Sequence, residues 1–310
     1  MHKRIIIYGF GRMGLTHYAI LNQLLENAEF VFVDPNKKVN FFAQRNINAR
    51  IVNSIKNIDK YFDFALVCTP PIFHLSILEK CINSKIPNIF VEKPFGGLYD
   101  NFSSILSTDS KITIGYVLRF NPIIQWVKNF INIQQISKVE AYYFSNTIEK
   151  KPKGWRNGFY SGVTNEVGSH IIDLFVFLFD LSNPQIINKH LDSVISDVDD
   201  ILTANLFEKN INYHLHFDWV NKKYRKPVFK FVITLLDGTT IKFDQQKLEH
   251  FRNDTLINQI TTVDLAQNVP YYLRGIDFTL QMQDFIGEQK TMSNANDAIL
   301  TRNLINRLIS

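Results

Sequence analysis

Ile5-Ile6-Ile7-Tyr8 opens a series of short, continuously apolar runs in the first third of the chain. Phe30-Val31-Phe32-Val33 follows and stops at Asp34-Pro35-Asn36. Phe64 to Cys68 stops at Pro70-Pro71, and Asn88 to Val91 and Lys111 to Ile114 continue the series, with Ala49 to Val52 as a shorter member. Apolar runs of this length without alternation predict strands buried on both faces. Between them lie segments of helical spacing. Residues 12–26 place Met13, Ala19, Ile20, Leu24 and Leu25 at roughly helical intervals, and Phe73 to Ile82 carries Leu75, Leu78 and Ile82 on one face. Strand and helix in alternation predict a parallel sheet covered on both sides, with right-handed crossovers: a doubly wound α/β fold. Such sheets bind ligands outside the carboxyl ends of their strands, which directs attention to residues 9–14, 34, 69–74 and 92–95.

The pattern changes near residue 121. Asn121 to Ile133 has helical spacing, Val139 to Phe144 reads as a strand, and 164–180 as a helix. Strands follow near 185–196, 201–208, 211–219, 228–236 and 239–244, with Asp237-Gly238 as a hairpin signal between two of them. Hairpin-linked strands imply a largely antiparallel open sheet with one face covered. Two helices, 271–286 and 294–309, close the chain. The expected organisation is a Rossmann domain over 1–120 and an α+β domain over 121–310.

Composition narrows the class. A chain of 310 residues, 45% hydrophobic and 20% charged, has the proportions of a globular protein with room for two domains. The four apolar residues after Arg4 are far short of a signal-peptide core, and no apolar stretch reaches membrane-spanning length. Cys68 and Cys81 give no disulfide framework, so the expectation is a cytoplasmic protein with reduced thiols. The net charge is +5, with lysines and arginines spread along the chain and denser in two patches, Lys150, Lys151, Lys153 and Arg156, and Lys222, Lys223, Arg225, Lys226 and Lys230. Solvated loops or attraction of an anionic substrate both account for them. No recognition motif accompanies the charge, which argues against nucleic acid. His214, His216 and Asp218 share a strand face but spread over about 13 Å, too far for one ion, so no metal is expected.

The first strand ends in Gly9-Phe10-Gly11-Arg12-Met13-Gly14, a GxGxxG that opens a helix. Gly9 permits the tight turn, Gly11 lets the backbone approach a pyrophosphate, and Gly14 lets helix and strand pack closely. The helix N-terminus supplies free N–H groups for the phosphates. Asp34, at the end of the second strand, can accept hydrogen bonds from ribose hydroxyls and would repel a 2′-phosphate, which favours NAD over NADP. Further along, Glu92-Lys93-Pro94 closes the fifth strand and Arg119 follows the sixth, both at the ligand edge.

GFGRMG, CTPPIFH at 68–74, EKP at 92–94, GYVLRFNP at 115–122 and NEVGSHIID at 165–173, in that order, resemble the Gfo/Idh/MocA oxidoreductases, and the closing SNANDAILTRNLINRLIS is similar to that family's final helix. The resemblance implies that Lys93 contacts the nicotinamide ribose and the reacting oxygen. It implies that His170 exchanges the proton of that oxygen, with Glu166 at the position of the family's aspartate and Asp173 matching the trailing one. Thr69, Pro70 and His74 then line the cofactor with Glu92 and Arg119. Tyr116, Arg119, Trp155 and Arg156 border the substrate, and the open sheet makes a homodimer or homotetramer. The sequence departs from the family in having Glu166 for Asp and a lone Gly162 for the usual glycine run.

The chemistry is coherent on its own terms. Oxidising an alcohol needs a base for the hydroxyl proton, a task suited to imidazole, and an ammonium to stabilise charge developing on the oxygen. Glu166, His170 and Asp173 could share one helical face, although a buried histidine paired with a carboxylate would look the same. The expectation is an NAD-dependent oxidoreductase acting on a hydroxyl or keto carbon of a sugar or nucleotide sugar. Two alternatives stay open: an NAD-binding sensor without turnover, and a non-redox lyase or glycosidase that uses bound NAD transiently.

Overall fold

In the computed structural model, the residues described are 2–37, 41, 47–54, 61–97, 100–158, 160–265 and 267–310. The chain divides into two compact units, one of Met1–Val117 with Asn268–Ile299, the other of Leu118–Gln267 with Leu300–Ser310.

The first unit is built on β1 (Lys3–Tyr8), β2 (Ala28–Val33), β3 (Arg50–Val52), β4 (Phe64–Val67), β5 (Asn88–Val91) and β6 (Lys111–Ile114). They lie in the order β3-β2-β1-β4-β5-β6, all parallel, which is the doubly wound arrangement with its switch point between β1 and β4. A two-residue strand from far along the chain, β15 (Ser293–Asn294), adds antiparallel to β6. Helices α1 (Arg12–Leu24), α2 (His74–Asn83), the short α3 (Ser103–Leu106) and the late α6 (Ile276–Ile286) belong to this unit. Ile6, Ala65 and Ile89 are fully buried in a cluster that α2 enters with Leu78 and Cys81. Phe285 of α6 packs edge-on against Phe64 and Phe90, with ring centroids 5.4 and 5.5 Å apart.

The second unit carries an eight-stranded sheet in the order β14-β13-β12-β11-β7-β10-β9-β8. Its strands are β7 (Ile136–Phe144), β8 (Gln185–Asp192), β9 (Ile201–Glu208), β10 (Ile211–Asp218), β11 (Val228–Leu235), β12 (Thr240–Phe243), β13 (Lys247–Arg252) and β14 (Thr255–Thr261). Only β7 and β10 pair in parallel. Alternating residues of β7, Val139, Ala141 and Tyr143, are buried under α4 (Pro122–Phe130), α5 (Ser169–Phe179) and the end of α7 (Ala295–Ile309). The other face carries Tyr142, Phe144, His214 and His216, in tilted and edge-on ring contacts. Asp237-Gly238 makes the expected hairpin, with Gly238 at φ 82° and the Thr239 amide donating to Asp237 at 2.9 Å.

Several element expectations need correction. β13 and β14 were not anticipated, because their outward positions are polar and β14 is mostly exposed, which removes the apolar signal. The strand near 185–196 stops at Asp192, and Asp200 gathers the following loop by accepting from the amides of Val194, Ile195 and Ser196. The helix expected from 271 starts at Ile276, after Arg274 and Gly275 adopt φ of 64° and 140°. The helix expected over 164–180 is two pieces, a π-helical turn Thr164–Gly168 and then α5. No helix among the described residues is long and apolar enough to cross a membrane.

Candidate active site

In the first unit the three glycines of the GFGRMG loop divide their labour as close packing demands. Gly9 has φ 95°, and a Cβ there would lie 2.7 Å from the Cys68 carbonyl oxygen. A Cβ on Gly14 would lie 2.2 Å from the Gly9 oxygen. A Cβ on Gly11 would meet nothing within 4 Å, so its smallness serves something other than the fold. Gly11 N-caps α1, no side chain among the described residues caps the helix, and its first turn holds no acidic residue. The amides of Arg12 and Met13 therefore begin a helix whose partial positive charge is left for an anion.

Asp34 closes β2 beside this loop. Its Oδ2 accepts from the Phe10 amide at 2.8 Å and its Oδ1 from the Asn36 amide at 2.8 Å. Carboxylate oxygens have further lone pairs, so Asp34 is fixed in place and still able to accept from ribose hydroxyls. Thr69, at the end of β4, has a buried hydroxyl with no partner, and Pro70 beside it is exposed. These features fit a dinucleotide: an uncapped helix end, an open backbone at Gly11, an anchored carboxylate and an orphan hydroxyl.

His74, expected to line the cofactor, is held by two backbone carbonyls. It is 1% exposed, with Nε2 2.7 Å from the Thr69 carbonyl and Nδ1 3.2 Å from that of Pro94. Burial pushes its pKa down, against the two carbonyls and the nearby Glu92, which pull it up. His74 thus ties the Thr69 loop to the EKP loop. Lys93 is half-buried at that loop, while Glu92 and Tyr116 lie inside the unit, at 8% and 2% exposure.

In the second unit, the Gly162 to Asp173 stretch brings together most of the residues singled out there. Gly162 has φ 104°, and its missing Cβ leaves room for Asp199, whose Oδ2 accepts from the Thr164 amide at 2.8 Å. Burial raises the Asp199 pKa to about 6, although the Thr164 bonds pull it down. Gly168 lies so close to β10 that a Cβ would come 2.5 Å from the Phe217 ring. Glu166 accepts from the Ser161 hydroxyl at 2.5 Å and faces Arg156 at 3.9 Å. Arg156 lies on Trp155, 5.3 Å from the ring centroid, and Lys151 and Asn157 anchor that loop on Asp197 at 2.6 Å each. Glu166, Arg156 and Trp155 are therefore linked, and the half-buried His170 follows about one turn further along, in α5.

Arg119 and Asp173 are joined to each other. Both are buried, at 2% and 0% exposure, and they form a bidentate pair with Nε–Oδ2 of 2.8 Å and Nη2–Oδ1 of 2.7 Å. The Arg119 guanidinium also covers Phe177 at 4.8 Å. The pair locks α5, and with it His170, to the segment before α4. Arg302 of α7, which the sequence did not single out, donates to Asn165 at 2.6 Å from a 1% exposed side chain. Ser161, Asp199 and Arg302 were missed because their partners are 5 to 137 residues away in the chain.

Comparison with known proteins decides between a generic Rossmann unit and a particular one. Residues 3–108 match the family model described as "Oxidoreductase family, NAD-binding Rossmann fold", that of Gfo/Idh/MocA. The N-terminal domain belongs to the Gfo/Idh/MocA oxidoreductases. Among solved structures, levoglucosan dehydrogenase in complex with NADH is similar over 100% of this chain and 96% of its own, with TM-score 0.82 and 16% identity. UDP-N-acetylglucosamine 3-dehydrogenase from Acidithiobacillus ferrooxidans covers 100% and 97%, with TM-score 0.77 and 16% identity. An oxidoreductase from Agrobacterium radiobacter in complex with NAD+, L-tartaric acid and magnesium covers 98% and 94%, with TM-score 0.76 and 16% identity. At these identities the likeness establishes that each of the two units shares its fold with these proteins. No curated protein sequence matches the chain.

Proposed function

We propose that this protein is an NAD-dependent dehydrogenase that acts on a hydroxyl or keto carbon of a sugar or nucleotide sugar. The observation that carries this reading is the dinucleotide cradle: Gly11 open where Gly9 and Gly14 are packed, at the head of an uncapped helix, with Asp34 anchored beside it. The Gfo/Idh/MocA domain match and the NADH-bound solved relative support NAD as the cofactor. Asp34 would repel a 2′-phosphate and so favours NAD over NADP. The relatives named for levoglucosan and for UDP-N-acetylglucosamine support a sugar substrate.

NAD, when bound, supplies the hydride acceptor. The amides of the GFGRMG loop would hold the pyrophosphate, Asp34 the adenosine ribose, and Lys93 the nicotinamide ribose. Lys93 also stabilises negative charge developing on the substrate oxygen, and the His170 imidazole takes the hydroxyl proton. Glu166 holds Arg156 toward the substrate, and the Arg119–Asp173 pair keeps α5 in place so that His170 is presented in one orientation. Trp155 offers a flat apolar surface to a sugar ring. The Tyr142-Phe144-His214-His216 face of the second sheet is read as the surface through which copies of the chain associate. The free Cys68 and Cys81 suit a reducing cytoplasm.

Net NADH formation during a screen of free sugars, anhydrosugars and nucleotide sugars tests the reading. A substrate converted with stoichiometric NADH supports it. Conversion without net NADH would point to transient use of the cofactor, and NADH binding with no conversion to a sensor.

A further inference from the structure

Glu92 stands in a motif read for its lysine, yet its own carboxylate is turned into the first unit, 8% exposed. Oε1 lies 2.6 Å from Nε2 of His17, a fully buried residue of α1. Oε2 accepts from the Lys93 amide at 3.2 Å. The slot is made to measure. His17 sits edge-on to Phe90 at 4.9 Å, and a Cβ on Gly115 would lie 3.2 Å from Oε2. His17 Nδ1 has no partner. The Nε2–H tautomer matches this, since it donates to the carboxylate and leaves only a lone pair unmet on the other nitrogen. Burying a carboxylate is costly unless it is hydrogen-bonded, so such a pair must be made by one specific geometry.

The two ends of this link are telling. His17 lies on the helix whose N-terminus begins at the GFGRMG loop, and Glu92 holds the backbone of Lys93. We propose that His17 and Glu92 are positioning residues that tie Lys93 to the dinucleotide-binding helix, so that seating the cofactor on α1 sets the place of the ammonium. This role rests on the reading of Lys93 given above. The two side chains bond each other and, through Glu92, the Lys93 backbone. They act through the Lys93 peptide.

The test uses the whole chain, NADH as probe and pulsed acetylation of lysines read residue by residue by mass spectrometry, alongside NADH titration by fluorescence. In the wild type, bound NADH slows acetylation of Lys93 by about fivefold or more, the factor expected for a single hydrogen bond. Glu92→Gln keeps the shape but puts an amide against the Lys93 N–H, and His17→Phe keeps the ring and removes the donor. His17→Phe binds NADH within about threefold of the wild-type Kd, and both variants lose most of the slowing at Lys93, as the loss of one hydrogen bond predicts. His17→Gln, which can donate to Glu92, restores it. Slowing equal to wild type in Glu92→Gln overturns the positioning role and leaves the reading of Lys93 intact. A wild type in which NADH does not change Lys93 acetylation overturns both. Should His17→Phe fail to fold, the contrast between Glu92→Gln and His17→Gln decides.

Discussion

Asp173→Asn isolates the buried pair that fixes α5. The carboxylate is fully buried and receives two short bonds from Arg119, itself 2% exposed. Asparagine keeps the volume and one acceptor but removes the counter-charge, and leaves a guanidinium inside the protein without its carboxylate, over the Phe177 face. Breaking a buried pair by removing one partner costs about 3–5 kcal/mol, and the retained acceptor places this case near the lower end. With a urea m-value of about 2 kcal/mol/M, the midpoint falls by about 1.5 M. The three tryptophans, Trp126, Trp155 and Trp219, all lie in the second unit, so tryptophan fluorescence during urea unfolding reports the unit that holds the pair. Replacing both partners together, Arg119→Met with Asp173→Leu, recovers most of the loss, because two matched apolar side chains need no partner. A midpoint within about 0.3 M of wild type for Asp173→Asn would refute the reasoning, since no uncompensated buried charge would then have been created.

The glycine loop separates folding from binding. Gly14→Ala places a methyl 2.2 Å from the Gly9 oxygen and lowers both the melting temperature and NADH binding, whereas Gly11→Ala meets nothing, melts as wild type and binds NADH at least about tenfold more weakly by calorimetry. Asp34→Ala frees the Phe10 amide and removes the charge that repels a 2′-phosphate, so fluorescence titration gives an NADPH-to-NADH affinity ratio raised by about tenfold. Asp199, with its pKa raised from 3.8 to about 6, binds more protons folded than unfolded between those values. Its contribution is full below pH 3.8 and is lost as pH rises through about 6, roughly 3 kcal/mol in all. Tryptophan-detected urea melts should show that slope in the wild type and its absence in Asp199→Asn, whose side-chain oxygen still accepts from Thr164.

What was legible in the chain was whatever depends on neighbours in sequence. Ile5 to Tyr8 followed by GFGRMG specifies strand, turn and helix within a dozen residues, and the structure places all three as read. Asp34 lies at the end of β2 beside the glycine loop, as read, because one crossover fixes that spacing. The limits are equally specific. His74 and Glu92 read as cofactor-lining from their motifs, and their partners in the fold lie far off in the chain. Their ring and carboxylate face backbone and His17, which only the folded unit brings near. Arg119 reads as bordering cofactor and substrate and Asp173 as the trailing aspartate of the histidine motif; that the two pair with each other across 54 residues was not legible. The π-helical turn at Thr164–Gly168 gives no periodic signal of its own, since a single wide turn leaves the apolar spacing of α5 unchanged.

The central claim is that Lys93 and His170 carry out dehydrogenation with NAD held by the GFGRMG loop. NADH formation should be followed for the wild type, Lys93→Ala and His170→Ala on a sugar that the wild type oxidises, with NADH affinity measured in parallel. Each variant is predicted to lose at least about a hundredfold in kcat. His170→Ala keeps the wild-type NADH affinity, and Lys93→Ala, which gives up a ribose contact, stays within about tenfold of it. Turnover near wild type in either variant would contradict the account.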